Sequence, residues 1–258
     1  MLRRLRRAAL LLLPLFCATS LRAEWRVVSA EPQGTAAGGV VHFVTQAEET
    51  ESGTRATLHL ALFSAKGATL RVIDDPETDD SLGEIMPREK CVAGVNGGYF
   101  DPDYAPVGLL VSDGQTIAPF RKAKLLSGVV AASNGRVQIQ RSGEFSSKAK
   151  VAAARQCGPF LVERGRAIAG LNETRAARRT FVATAGGDRG AIGYCSHVTL
   201  AQLGALLATP GIAGDFKTQR ALNLDGGSSS GFWFAGADGV FTIREQKRVR
   251  DYLGIVPR

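Results

Sequence analysis

The chain has 258 residues, of which 45% are hydrophobic and 22% charged, and it contains 30 glycines and 10 prolines. This composition excludes a disordered or fibrous protein and predicts a globular chain that buries most of its surface in a single domain. The formal net charge of +8 suggests nucleic acid as a partner only if the basic residues share one surface, so their positions decide the interpretation.

The first 23 residues have the pattern of a secretory signal peptide. They contain no acidic residue, an apolar run over 8–18, and five arginines: Arg3, Arg4, Arg6, Arg7 and Arg22. Because the apolar run is too short to span a bilayer, we predict cleavage after Ala23, or alternatively after Ser20, and no stable membrane anchor. Without this segment the formal net charge falls from +8 to about +3. We therefore expect a periplasmic or secreted domain over 24–258 that does not bind nucleic acid.

Three cysteines follow the predicted signal peptide: Cys91, Cys157 and Cys195. In an oxidising compartment an odd number allows at most one internal disulfide, and the sequence does not choose the pair. The chain has no Cys-x-x-Cys or His-Glu-x-x-His sequence, so we predict no metal centre and no cofactor. Calcium on the acidic 74–80 loop stays open as an alternative to a solvated loop.

Alternating apolar residues predict strands through the first half of the chain, over 25–29, 40–45, 54–63, 69–73, 91–95 and 107–111. Ser81 and Glu84 have the spacing of a capping box, which predicts a short helix that Pro87 disturbs. Asn134-Gly135 lies between apolar runs at 127–132 and 136–140, which is typical of a β-hairpin.

The second half of the chain continues this pattern. We predict helices over 147–155 and 199–208, the latter with Thr199 and Gln202 as a capping box. Strands are predicted over 160–163, 167–169, 180–184, 191–195, 221–224, 232–234, 240–243 and 249–256. Many strands, hairpin turns and about three helices predict an α+β fold with mixed, largely antiparallel sheets.

Two glycine-rich loops directly follow apolar strands. Gly97 and Gly98 lie in the first loop, and Gly226 and Gly227 lie in the second, shortly before Ser229. Paired glycines let successive backbone N–H groups converge on an anion, although an isolated pair is more often only a tight turn. An Asn before the first pair, and an Asn and an Asp before the second, favour a functional site. We expect the two loops to meet in one cup.

The segment 227–231 also matches Gly-x-Ser-x-Gly, the nucleophile sequence of serine hydrolases, with Ser229 at its centre. That fold requires a helix after the serine and a histidine later in the chain. Here the segment 232–234 has the pattern of a strand, and no histidine follows His197. A serine hydrolase therefore stays an alternative function, although the sequence lacks the helix and the later histidine that this fold requires.

Four motifs together resemble one known family. In chain order they are Asn96-Gly97-Gly98-Tyr99-Phe100, Gly158-Pro159-Phe160-Leu161-Val162, Arg179-Thr180 and Asn223-Leu224-Asp225-Gly226-Gly227-x-Ser229-Ser230. At this spacing they are similar to the phosphodiester glycosidase domain, over about 91–256. Two positions depart from the family pattern: Ser228 stands where a third glycine is common, and 195–197 replaces an Asp-Gly turn.

The resemblance implies hydrolysis of a sugar-1-phosphodiester in an envelope or extracellular glycan. It implies a site in which Asp225, Arg179 and Asn96 take part in catalysis. The other implied pocket residues are Gly97, Gly98, Asn223, Gly226, Gly227 and Ser229. We also expect Tyr99 and Thr180 to bind the substrate, although core packing is an equal alternative for Tyr99. The expected partner is a sugar phosphate or glycan, and the sequence leaves the oligomeric state open.

The chemistry can also be argued from the residues. A phosphate leaving group is already a weak base, so charge stabilisation and one carboxylate near the anomeric carbon matter more than a proton donor. We expect Arg179 to bind the phosphate and Asp225 to act as nucleophile or general base. Strand alternation places Arg178 on the other face, and Asp101 and Asp103 are candidates for a second carboxylate. A noncatalytic phosphoglycan-binding module remains an alternative.

Overall fold

The structure, a computed structural model, describes residues 24–77, 80–133, 135–186 and 188–258. The predicted signal peptide and the turn residue Asn134 lie outside the described residues. Within the described ranges no helix is long and apolar enough to cross a bilayer.

Strands make up most of the described chain. They are β1 (Trp25–Ala36), β2 (Val40–Glu49), β3 (Arg55–Ser64), β4 (Ala68–Asp74), β5 (Ala93–Asn96), β6 (Leu110–Ser112), β7 (Gln115–Ala118), β8 (Gly128–Ser133), β9 (Arg136–Arg141), β10 (Ala153–Cys157), β11 (Phe160–Glu163), β12 (Arg166–Ala167), β13 (Ala177–Ala185), β14 (Arg189–Val198), β15 (Thr218–Asn223), β16 (Phe232–Gly236), β17 (Gly239–Ile243) and β18 (Asp251–Pro257). The α-helices are α1 (Leu82–Arg88) and α2 (Leu200–Ala208), and short 3-10 helices cover Ala37–Gly39 and Gly227–Ser229.

The strands form three sheets. The eight-stranded sheet has the order β1-β2-β3-β14-β13-β15-β11-β12, and the five-stranded sheets have the orders β7-β6-β10-β8-β9 and β17-β16-β5-β18-β4. The predicted largely antiparallel architecture is confirmed: every strand pairing found among the described residues is antiparallel.

The prediction of a helix over 147–155 is wrong, which leaves two α-helices instead of about three in the described chain. Residues 153–157 form β10, which pairs with β8 and β6, and all five of its residues are buried. Alanine, lysine and arginine favour a helix locally, but the burial available between two strands outweighs that propensity. The predicted capping boxes of α1 and α2 are both confirmed.

One hydrophobic cluster packs the three sheets together and so fixes their ends relative to one another. It includes Val95 of β5, Cys157 of β10 and Leu222 of β15, all fully buried. A second cluster lies on the other face of the large sheet, where α2 buries Leu203 and Leu206. The two glycine-rich loops therefore follow strands, β5 and β15, whose positions the packed sheets fix.

All three described cysteines are free and buried, so the disulfide that the sequence allowed is not formed among them. Burial raises the pKa of the Cys91 and Cys157 thiols to about 12, which keeps them protonated and unreactive. Two carboxylates of the acidic 74–80 loop pair with arginines: Asp74 with Arg250, and Asp80 with Arg88.

Candidate active site

The two glycine-rich loops meet, although they leave different sheets. The backbone N–H of Asp225 donates to the carbonyl oxygen of Gly97 at 3.1 Å. Asn96 fixes the second loop at two points: its Nδ2 donates to the Asp225 carbonyl at 2.8 Å, and its Oδ1 accepts from the Gly231 N–H at 3.2 Å. Because Asn96 is 1% exposed and its amide is fully used, it orients Asp225 within the structure.

Asp225 combines a fixed backbone with an accessible carboxylate. Thr180, which is fully buried, donates from its hydroxyl to the Asp225 carbonyl oxygen at 2.7 Å. The side chain is half-buried, and its Oδ1 accepts from the Gly226 N–H at 3.0 Å. Burial raises the pKa of this carboxyl, while the hydroxyl of Ser229 and the ammonium of Lys247 oppose that shift. A raised pKa makes the carboxylate a stronger base than an exposed aspartate.

Arg179 is a buried cation without an acidic partner. Its Nε donates to the Val198 carbonyl at 3.1 Å and its Nη2 to the Arg175 carbonyl at 2.5 Å. No carboxylate of the described residues lies within 4.0 Å of its guanidinium. A Cβ at Gly226 would lie 3.5 Å from Nη1, so this nitrogen lies beside the Asp225 loop. Burial lowers the pKa of Arg179.

The other glycine pair has a role that the sequence did not indicate. Both N–H groups bond to Asp251: Gly97 donates to its backbone carbonyl at 2.7 Å, and Gly98 donates to its carboxylate Oδ1 at 3.1 Å. These two donors are therefore occupied and not directed at a ligand. A Cβ at Gly97 would collide with Asp251, and one at Gly98 with Arg155.

Arg155 and Asp251 are the residues that the sequence analysis missed. They form a fully buried, bidentate ion pair, with Nε–Oδ1 and Nη2–Oδ2 distances of 2.9 Å. Arg155 also donates to the Tyr99 carbonyl at 2.7 Å, so the pair supports the whole 97–99 turn. An arginine inside a buried strand indicates a buried ion pair. Arg155 is not recognised in this way because the segment 147–155 is predicted to be a helix.

Tyr99 and Asn223 line the cup from the β15 side. The Tyr99 hydroxyl donates to the Gly158 carbonyl at 2.5 Å and accepts from Asn223 Nδ2 at 3.2 Å. Burial raises the pKa of Tyr99, which keeps its hydroxyl protonated. Asn223 is 2% exposed, and its Oδ1 has no hydrogen-bond partner among the described residues. A buried acceptor without a partner is available to a ligand hydroxyl.

The second loop contains the remaining predicted residues. Gly227 has a φ of +67°, a conformation that favours glycine. Arg178 lies with its guanidinium over the Tyr194 ring, while Arg179 is paired with Cys195 on the neighbouring strand. The register of β13 is irregular between Ala177 and Arg179, and Arg178 also reaches the second loop, where it donates to the Ser230 carbonyl.

The structure argues against the serine hydrolase alternative. Ser229 is fully buried in a 3-10 helix, and a strand, β16, follows it in place of the required helix. All three histidines are described: His42 and His59 bond to each other at 3.1 Å, and His197 is exposed. Ser229 has no hydrogen-bonded histidine to activate it.

Of the two candidates for a second carboxylate, Asp101 stabilises its own turn. Asp101 Oδ1 accepts from the N–H groups of Asp103 and Ala105 at 3.0 and 2.9 Å. This arrangement caps the loop that follows Phe100. Asp103 contributes only its backbone N–H to this turn and its side chain is exposed, so its carboxylate stays a candidate for the second acid.

Comparison of the sequence with models of known protein families assigns this chain to a family. The model of the phosphodiester glycosidase family matches residues 89–256. The chain belongs to the phosphodiester glycosidase family. The matched range contains both loops, Arg179 and the Arg155–Asp251 pair, so the site described above lies within the family domain.

Solved structures share the fold at low sequence identity. The catalytic domain of zebrafish N-acetylglucosamine-1-phosphodiester alpha-N-acetylglucosaminidase, described as auto-inhibited by its pro-peptide, aligns with a TM-score of 0.63 and 15% identity over 90% of this chain and 89% of that one. A hypothetical protein from Synechocystis aligns with a TM-score of 0.57 and 14% identity, over 89% and 64% of the two chains. The uncharacterized protein YigE of Escherichia coli K12 is 30% identical over 91 residues, which are 33% of this chain and 36% of YigE.

Proposed function

We propose that this protein is an exported hydrolase that cleaves the bond between the anomeric carbon of a sugar and a phosphodiester oxygen. The observation that carries the proposal is Arg179, a buried guanidinium without a carboxylate partner, next to the loop that presents Asp225. Burying an unpaired cation is costly unless an anion binds to it, so Arg179 is suited to a phosphate.

The proposed reaction uses Asp225 on the sugar side. The C1–O bond breaks, its electron pair leaves with the phosphate, and the oxygen of water becomes bonded to C1. The products are the free sugar and a phosphomonoester. Asp225 either attacks C1 and is then displaced by water, or it takes the proton of the attacking water. Arg179 stabilises the charge that develops on the leaving phosphate.

The proposed location follows from the first 23 residues, whose basic and apolar pattern is that of a secretory signal. An exported enzyme of this kind would meet glycans of the cell envelope or of the extracellular space. The zebrafish relative is named for a sugar-1-phosphodiester, which supports the same substrate class for this chain.

The direct test is to incubate purified protein with N-acetylglucosamine-1-phosphodiesters and measure free sugar. We expect turnover by the wild type and a loss of about 10³-fold or more in Asp225→Asn, because the reaction then lacks its carboxylate. The matched control is Asp238→Asn, which changes an exposed aspartate in the β16–β17 turn and should retain full activity.

Two results would contradict this proposal. If Asp225→Asn retained the wild-type rate, the carboxylate would have no part in the mechanism. If calorimetry detected binding of the phosphodiester but no sugar were released, the protein would be the noncatalytic phosphoglycan-binding module that the sequence left open.

A further inference from the structure

A basic segment over 244–250, between β17 and β18, packs against the loop that carries Asp225. The Gln246 N–H donates to the Ser228 carbonyl at 2.7 Å. Arg178 donates to the Arg244 carbonyl at 2.7 Å, so one end of the segment is held at the sheet. The segment thus lies beside the candidate site, although none of its residues was predicted to belong there.

The other end of the segment is fixed as well. Val249 is buried, and Arg250 is buried in an ion pair with Asp74. The Glu245 carboxylate accepts from the Leu82 N–H at 2.7 Å, at the start of α1. These contacts on both sides of Lys247 fix the position of its backbone, and therefore of its Cα atom.

The Lys247 ammonium extends to the first site loop. Its Nζ lies 4.8 Å from the centroid of the Phe100 ring, in a cation–π contact. Phe100 in turn stacks on Tyr104, with ring centroids 5.2 Å apart and an interplanar angle of 11°. Lys247 therefore bridges the two loops of the site, because its neighbour Gln246 contacts the second loop and its ammonium contacts the first.

Lys247 is exposed, and no carboxylate of the described residues forms an ion pair with it within 4.0 Å. Its charge nevertheless reaches the site, since it lowers the pKa of Asp225. An ammonium held between the two joined loops can bind an anion without first breaking a salt bridge.

We propose that Lys247 binds the phosphate of the substrate and thereby selects for an anionic leaving group. This inference rests on the proposed function and adds a specificity-determining residue to it. Arg179 and Lys247 would then be two separate cations for one phosphodiester, the first buried and the second at the solvent side.

The test compares two substrates of the same sugar, the 1-phosphodiester and the neutral 4-nitrophenyl glycoside. For Lys247→Gln we expect kcat/KM to fall about tenfold on the phosphodiester and less than about twofold on the neutral glycoside. Lys247→Arg, which keeps the charge, should restore most of the loss. The control is Lys217→Gln, which changes an exposed lysine next to the start of β15, at the opposite end of the strand from the site.

Equal losses on both substrates, or no loss on either, would overturn the role of Lys247 and leave the proposed function intact. If the wild type hydrolysed neither substrate, the proposed function would fail, and calorimetry with inorganic phosphate would decide the inference by itself. Binding that is about tenfold weaker in Lys247→Gln than in Lys217→Gln would support the anion contact. Equal binding by the two variants, or no binding by the wild type, would overturn it.

Discussion

Replacing Arg179 with glutamine should remove the buried cation that the site offers to a leaving phosphate. The structure limits how much this cation can contribute. Nε and Nη2 are already bonded to the carbonyls of Val198 and Arg175, which leaves Nη1 as the nitrogen without a protein acceptor. Two of the five N–H donors are therefore used, and we take one charge-assisted hydrogen bond from Nη1 as the minimum that phosphate would lose.

One such hydrogen bond is worth about 1.5–3 kcal/mol, which corresponds to a loss of about 10- to 150-fold in kcat/KM. The assay is the initial rate of sugar release from the phosphodiester by Arg179→Gln, with circular dichroism and thermal unfolding to verify the fold. A neutral aryl glycoside of the same sugar should be affected much less, since its leaving group carries less charge.

The matched control is Arg189→Gln. Arg189 lies at the start of β14 and pairs with Asp215 at 2.9 Å, away from the site end of the sheet. We expect this variant to retain its rate within about twofold, as is usual for surface pairs. If Arg179→Gln kept the wild-type rate, or lost both substrates equally, Arg179 would not be the phosphate ligand.

Two further predictions concern stability. Gly98→Ala should lower the free energy of unfolding by about 1–3 kcal/mol in urea titrations, because its Cβ would collide with Arg155. An unchanged free energy of unfolding would mean that the backbone of the turn can shift without cost. Burial lowers the pKa of His42 and His59 from 6.5 to about 4, so the folded state disfavours their protonation. Their contribution is complete above pH 6.5 and is lost as the pH falls towards 4; allowing for solvent screening, we expect about 1–2 kcal/mol less stability at pH 4.5 than at pH 7.5. His59→Gln should reduce that difference, and an equal difference in this variant would show that other groups cause it.

Much of the fold follows from local sequence signals. The alternation of Leu58, Leu60 and Leu62 identifies β3, and the Thr199–Gln202 capping box identifies the start of α2. The capping box satisfies the start of α2 with residues three apart, and the alternation of β3 repeats every two residues, so a short window contains both signals. The partner strand β14 of β3, in contrast, lies far away in the chain. The helix predicted over 147–155 fails for the same reason, since its window does not contain the strands β6 and β8 that flank it.

The sequence likewise predicts only part of the candidate site. Asp225, Arg179 and the two glycine pairs can be selected from the sequence because their residue types and motif order are distinctive. The sequence does not show why residues 97 and 98 must be glycine. They leave room for the side chains of Asp251 and Arg155, which are distant in the chain.

The sequence by itself therefore determined the family and the antiparallel strand pattern, and it selected the residues that we propose to bind a phosphate. Only the tertiary structure decided which donors are available, which are used internally, and that Lys247 lies between the loops. The physical reason is that hydrogen bonds and ion pairs depend on distances of a few ångströms between segments about 50–150 residues apart, and packing of the three sheets sets those distances.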